Sequence, residues 1–288
     1  MDMKPYSQLT WSTIDLAIAG IDIRVYCNSP AVADRLRLRY AGFPASSQPK
    51  FESWVNLEGD LRSHALLDTG VVFQGQVLHF TAQGYMGQIG VKENKGQLAL
   101  SSKQPLEDID YFIRVVCALL AFEKGGMMFH AAGVVREGFA FLFFGHSGAG
   151  KTTAARLSAN ALILNDDLLV LLPRDRSAEP RNSWTAYATP FWNPTQVKPT
   201  SEFAPVVGLF RLVQDRKVFL EPMSKAQALA EFLSNIPVIP EDPQRNAELI
   251  ARSMQLLTDI PAFRLHFLPD DSFWRVILDW LNSSRYVH

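Results

Sequence analysis

Eight consecutive residues, Gly145-His146-Ser147-Gly148-Ala149-Gly150-Lys151-Thr152, fit G-x-x-x-x-G-K-[ST] at every fixed position. Each part of the spacing has a physical reason. Glycines let the backbone wrap an anion without Cβ clashes. Successive N–H groups and the start of the following helix then point at the phosphates. Lys151 neutralises β/γ oxygens, the Thr152 hydroxyl is of the type that ligates Mg²⁺, and Thr153 follows directly behind it. The flanks agree: Phe139–Phe144 is an apolar run suited to a buried strand, and Thr152–Ser158 can open a helix. The pattern reads as a site for a nucleoside triphosphate, ATP with Mg²⁺. It does not name the reaction.

A second group of candidates lies close behind. Asn165-Asp166-Asp167 follows a short strand expected at Ala161–Leu164, and Asp166 comes only fifteen residues after Lys151. Strand, loop, short helix and next strand would bring the carboxylates straight back beside the loop. Two adjacent carboxylates near a Mg-nucleotide can divide labour, one orienting the metal and the other accepting a hydroxyl proton. Side chains alternate along a strand, so at its end only one of the pair need face the metal. The plain alternative is an Asx-turn closing the strand. His130, within the apolar run Met128-Phe129-His130-Ala131-Ala132-Gly133, reads either as a satisfied core histidine or as a group handling the transferred phosphoryl or its proton. Thr189-Pro190-Phe191-Trp192-Asn193 reads as a pocket wall or as a packed aromatic turn. Arg211 and Arg264 are equal candidates for an arginine at the terminal phosphate. Trp274 and Trp280 read as core.

These groups need elements to hold them. Met127–Val135 and Phe139–Phe144 read as strands separated only by Arg136-Glu137-Gly138, a connection short enough to require antiparallel neighbours. Further strands are expected at Leu168–Leu172, Trp184–Thr189, Val206–Val213, Lys217–Leu220 and Ala262–Leu268, with Gln214-Asp215-Arg216 as a hairpin turn. Helices are expected over Ser224–Asn235, Asp242–Leu257 and Asp271–Leu281, with Ser224 and Asp271 as N-caps. Pro105–Lys124 is the clearest helix. Leu106, Ile109, Phe112, Ile113, Val116 and Leu120 keep a helical period, acids crowd its first turn, and Gly125-Gly126 stops it. The first hundred residues read as a small α/β module: a strand at Ile21–Tyr26, a helix at Ala31–Tyr40, and short strands at Val71–Phe73, Val77–Phe80 and Ile89–Val91. The domain boundary is placed before the long helix, giving a module at 1–104 and a catalytic domain at 105–288.

Composition bounds the rest. The chain has 288 residues, 48% of them apolar, and a formal net charge of −1. That supports a sizeable core and argues against a dedicated nucleic-acid binder, which carries a basic face. Cys27 and Cys117 form no CxxC pair and read as reduced buried thiols. The N-terminal residues have no signal-peptide core, and no apolar run approaches the ~20 residues of a membrane span. The expectation is a cytoplasmic protein with no membrane partner.

The stretch from His130 to Asp167 resembles the HPr kinase/phosphorylase catalytic domain and its wider set of HPr kinase-like proteins. The resemblance rests on the histidine at a strand start, the short hairpin, the loop Gly145–Thr152, and the Asp-Asp pair at the end of the next strand. It implies a P-loop kinase domain of mixed sheet, of the HPr kinase/phosphoenolpyruvate carboxykinase type. It implies His130 near the active site, Lys151 and Thr152 on phosphate and Mg²⁺, Asp166 as proton acceptor and Asp167 on the metal side. His146 stands where HPr kinases usually carry aspartate, and the N-terminal module has no counterpart. The function implied is an ATP- and Mg²⁺-dependent kinase acting on a serine-like hydroxyl of a protein, a peptide or free serine, in a fold that often forms homo-oligomers. The competing reading is a nucleotide-dependent switch or sensor without an acceptor; no N/T-K-x-D guanine-reading motif is present.

Overall fold

The computed structural model describes residues 10–58, 70–82, 84–158, 160–174, 183–192, 198–237 and 242–285. The chain is α/β with mixed sheets, and it divides into two compact units near residue 120.

The first unit contains β1 (Ser12–Ile18), β2 (Ile21–Cys27), α1 (Pro30–Arg39), β3 (Phe51–Leu57), β4 (Gly70–Gln74), β5 (Val77–Ala82), β6 (Tyr85–Gly90) and β7 (Lys95–Leu100). Most of the long helix α2 (Pro105–Glu123) also belongs here. The strands form one sheet in the order β1-β2-β3-β7-β6-β5-β4, parallel at β2–β3 and β3–β7 and antiparallel elsewhere. The alternation read in Ile21–Tyr26 has a cause: Ile21, Ile23, Val25 and Cys27 all face the core. The helical period of α2 likewise buries Ile109, Phe112, Ile113 and Val116, and Phe112 packs on Phe80 with ring centroids 5.9 Å apart. Both cysteines are free thiols and buried.

The second unit contains β8 (Met127–Arg136), β9 (Phe139–Phe144), α3 (Lys151–Arg156), β10 (Leu162–Asn165), β11 (Leu168–Pro173), β12 (Trp184–Tyr187) and β13 (Phe203–Gln214). It continues through β14 (Phe219–Pro222), α4 (Lys225–Leu233), α5 (Pro243–Asp259), β15 (Ala262–Phe267) and α6 (Phe273–Arg285). The expected hairpin is present. β8 and β9 pair antiparallel from Ala131↔Phe144 to Arg136↔Phe139. The reversal is made by Glu137 and Gly138, both at positive φ (51° and 80°), the primed turn that matches strand twist.

Two long strands change partners along their length. β8 pairs with β11 through Met127–His130 and with β9 through Ala131–Arg136. β13 pairs with β12 through Phe203–Pro205, then runs parallel to β9 and β15. Following the ladders β8–β11–β12–β13–β9 returns to β8. On the other edge of β8, β10 and β11 run in the same direction as two halves of one line, interrupted at Asp166-Asp167.

One face of this sheet carries an aromatic core. Phe141 and Phe143 of β9, Phe210 of β13, and Phe273 and Trp274 of α6 are buried together with Ala154 and Ala155 of α3. Trp274 meets Phe141 edge-on at 5.2 Å and donates its Nε1–H to Ser158 Oγ at 3.0 Å. Burying each such aromatic contributes about 2–3 kcal/mol. Trp274 is therefore core, as expected, whereas Trp280 is partly buried and packs against the same cluster.

Three sequence expectations need correction. Gln214-Asp215-Arg216 does not close a hairpin between β13 and β14, because β15 lies between them, parallel to β13 and antiparallel to β14. A local turn reading cannot foresee a strand inserted from some fifty residues downstream. Asp271 is not the cap of α6: the helix opens at Phe273, and the side chain bonding Ser272 is Asp270. Finally, β1, β3 and β7 are additional strands. Lys-Gly-Gln-Leu-Ala-Leu of β7 has weak strand propensity and is held by pairing on both edges, to β3 and β6. The cap at Ser224 is as read, with a capping box to Gln227.

Candidate functional site

The phosphate-type loop leaves the buried end of β9 and enters α3. Phe144 is fully buried, and Gly145, Gly148 and Gly150 adopt φ of 145°, 81° and 109°. Gly150 is doubly constrained: a Cβ there would stand 2.7 Å from the Phe267 ring. The loop closes on itself through Ala149 N–H donating to His146 O at 3.1 Å, and Gln214 of β13 donates to Gly148 O at 3.0 Å. Among the described residues the amides of Ser147, Gly148 and Gly150 have no acceptor. They are open to an oxyanion. α3 spans six residues, so its dipole adds little to what those amides offer.

Lys151 is buried under this loop. Its ammonium donates to Gly145 O at 2.9 Å and His146 O at 3.4 Å. Burial lowers its pKa, and the nearby Asp167 charge works against that. The lysine is thus held by two loop carbonyls.

The acidic pair folds back beside the loop. β9 and β10 both lie antiparallel to β8, so their C-terminal ends share one edge. The two carboxylates differ in surroundings. Asp166 is 2% exposed, and neither of its oxygens has a hydrogen-bond partner. Burial raises its pKa; the Thr152 hydroxyl on its loop side lowers it partly, without reaching hydrogen-bond geometry. Asp167 instead accepts from His130, Nε2 to Oδ1 at 2.8 Å. His130 is no sealed core residue, its side chain being 36% exposed. Its backbone N–H is fixed to Asn235 O, just past α4, at 2.8 Å. Lys151, Thr152, Asp166, Asp167 and His130 therefore share one neighbourhood.

Asn165 forms the Asx-turn that the sequence offers as the plain alternative, and it carries an organising role that the sequence does not signal. Asn165 Oδ1 accepts from Asp167 N at 2.7 Å and Leu168 N at 3.1 Å, the Asx-turn geometry. Its Nδ2 lies 3.0 Å from Thr189 O, 3.2 Å from Thr189 Oγ1 and 3.1 Å from Phe191 O. Thr189 Oγ1 donates in turn to Leu168 O at 2.7 Å. The turn is thus buried and clamped. It sets the pair's backbone rather than merely ending a strand. The clamp also accounts for the aromatic turn: Thr189 and Phe191 are fully buried, so this part is packing. Asn193 lies outside the described residues.

The arginine candidates separate. A pocket of about 370 Å³ opens beside the loop, lined by His146, Ser147, Gly148 and Ala149 and by Arg211, Leu212, Val213 and Gln214 of β13. Arg264 is absent from that lining and pairs with Glu221 at 3.4 Å.

A magnesium ion takes oxygen ligands and is commonly held by one or two carboxylates plus substrate phosphates. The orphaned oxygens of Asp166 beside the Thr152 hydroxyl fit that donor set. Among the described residues no helix is long and apolar enough to cross a membrane.

No family model and no curated protein matches the sequence. Among solved structures, the Hpr(Ser) kinase/phosphatase from Coxiella burnetii is similar at 14% identity, over 56% of this chain and 98% of that chain, with a TM-score of 0.28.

Proposed function

We propose that the chain is an ATP- and Mg²⁺-dependent kinase that transfers a phosphoryl group to a serine-like hydroxyl. The observation that carries this reading is the convergence of Lys151 and Thr152 with Asp166 and Asp167, one of them a buried carboxylate whose oxygens accept no hydrogen bond. Such a group is costly to keep unless a ligand completes it.

In the proposed reaction the acceptor oxygen bonds to the γ-phosphorus as the β–γ bridging P–O bond breaks, and ADP leaves. The open amides of the loop, Ser147, Gly148 and Gly150, bind the phosphate oxygens. Lys151 shifts from the two carbonyls it holds to those oxygens and neutralises them. Thr152 and one carboxylate would hold Mg²⁺, which supplies charge neutralisation on the phosphates. The other carboxylate takes the hydroxyl proton. The surroundings favour a division opposite to the one the resemblance implies: Asp166, beside Thr152, on the metal side, and Asp167, oriented by His130, on the proton side.

The test uses radiolabelled ATP with free serine, serine-containing peptides and phosphocarrier proteins as acceptors, with and without Mg²⁺. Label on an acceptor supports the kinase. Hydrolysis without any labelled acceptor supports the nucleotide switch. The carboxylates are separated by nucleotide titration: Asp166→Asn should lose the Mg²⁺-dependent part of ATP affinity, whereas Asp167→Asn should keep it and lose transfer. The reverse result restores the division implied by the resemblance.

A further inference from the structure

We infer that Arg211 is a second anion-binding group of this site, set in place by Glu231 to grip a phosphoryl oxyanion in the pocket beside the loop. The inference rests on the reading of that loop as a phosphate site. In the parallel β9–β13 ladder Arg211 is the register partner of Phe144, the residue immediately before the loop. Arg211 is among the residues that line the pocket, together with four loop residues.

The guanidinium is anchored on one side and spare on the other. Its Nη1 donates to Leu212 O at 3.1 Å, and its Nε lies 3.4 Å from Glu231 Oε1 on α4 while making no hydrogen bond. A guanidinium has five N–H donors in a rigid fork, so these contacts leave donors for a ligand. Glu231 offsets the charge and, together with the Leu212 carbonyl, limits the rotation of the side chain. Glu231 is thus a positioning residue. Its backbone carbonyl is held by Asn235 Nδ2 at 2.8 Å, and Asn235 O in turn binds the His130 amide.

The geometry also says why the neighbouring arginine does not share the task. Arg264 is the register partner of Arg211 on β15 but turns to Glu221 of β14. Two guanidiniums side by side would repel; one is drawn outward, and one is kept at the loop. Lys151 and Arg211 then address a polyphosphate from two directions. Lysine acts as a point charge, and arginine as a planar fork suited to two oxygens of one phosphoryl group.

That phosphoryl group belongs either to the nucleotide or to a phosphorylated acceptor. Isothermal titration of the full chain with MgATP, MgADP, AMP and inorganic phosphate distinguishes them. Arg211→Gln should weaken at least one of these roughly tenfold to a hundredfold, the worth of a charge-assisted contact, while Arg264→Gln leaves all unchanged. A loss confined to ATP assigns the fork to the nucleotide's terminal phosphate. A loss confined to inorganic phosphate assigns it to the acceptor side. Arg211→Lys keeps the charge beside Glu231 and should recover only part of the affinity. If wild type binds nucleotide and Arg211→Gln binds every anion equally well, this inference is overturned while the loop reading stands. A wild-type protein that binds none of them overturns both.

Discussion

Neutralising Asp166 should make the empty protein more stable and the loaded protein less so. At neutral pH the wild type buries a carboxylate whose two oxygens have no hydrogen-bond partner. An unsatisfied buried polar group costs roughly 1–3 kcal/mol, more when charged. Asparagine has the same shape and no charge, so Asp166→Asn should return about 1–2 kcal/mol of that. For a unit of this size the gain corresponds to an increase in Tm on the order of 4 °C. The pH dependence gives a second, independent handle. Burial holds the folded-state pKa of Asp166 above its ordinary 3.8. The folded state therefore binds this proton more tightly than the unfolded state, and ionisation works against folding. The penalty is full above the folded-state pKa and fades as pH falls through it, so the gap between wild type and variant should narrow on acidification. Thermal unfolding followed by tryptophan fluorescence suits the measurement, since Trp184 and Trp274 are buried in the second unit. With MgATP at about 100 times its Kd, the wild type should gain about 2.7 kcal/mol, and the variant should lose most of that gain. A variant no more stable than wild type at pH 7, or a gap that stays constant on acidification, refutes the argument that this carboxylate is held unsatisfied for a ligand.

Three further outcomes are expected. Lys151→Ala should abolish phosphoryl transfer and nucleotide binding in titration while leaving the unfolding midpoint nearly unchanged, since the lysine's hydrogen bonds run only to loop carbonyls. Asn165→Ala should destabilise the second unit by about 2–4 kcal/mol in urea, because it strands the buried amides and carbonyls of the clamp, and Thr189→Val should cost about 1 kcal/mol by removing one of those bonds. Gly150→Ala should eliminate nucleotide binding through its positive φ and its clash with Phe267; a companion Phe267→Leu should recover solubility and fold but not binding, since the backbone strain of about 1–3 kcal/mol remains.

What could be read in advance followed from local physics. The loop, its strand and its helix sit in one continuous stretch, and glycine at positive φ leaves a direct trace in sequence. The β8–β9 hairpin was legible because a connection as short as Arg136-Glu137-Gly138 can join only antiparallel neighbours. The long helix was legible because Ile109, Phe112, Ile113 and Val116 keep one period. Harder to see were features made by distant partners. β15 enters between β13 and β14 from far along the chain, so the turn after Gln214 looked like a hairpin. Asn165 looked like an ordinary strand-ending turn former, because the groups that bury its amide are Thr189 and Phe191, more than twenty residues away. Arg211 and Arg264 are alike in sequence; the pocket lining and their partners Glu231 and Glu221 tell them apart.

The ring of ladders through β8, β11, β12, β13 and β9 also bears on motion. The loop's supporting strand and the line carrying the acids both border β8, and the circuit has no free seam along which they could part. Opening and closing around a guest would then fall to what lies off the circuit: the loop itself, and α4 with its Glu231 and the Asn235 tether. Amide exchange should accordingly report a slow hoop with a faster helix leaning on it, a machine whose frame stands still while one brace shifts.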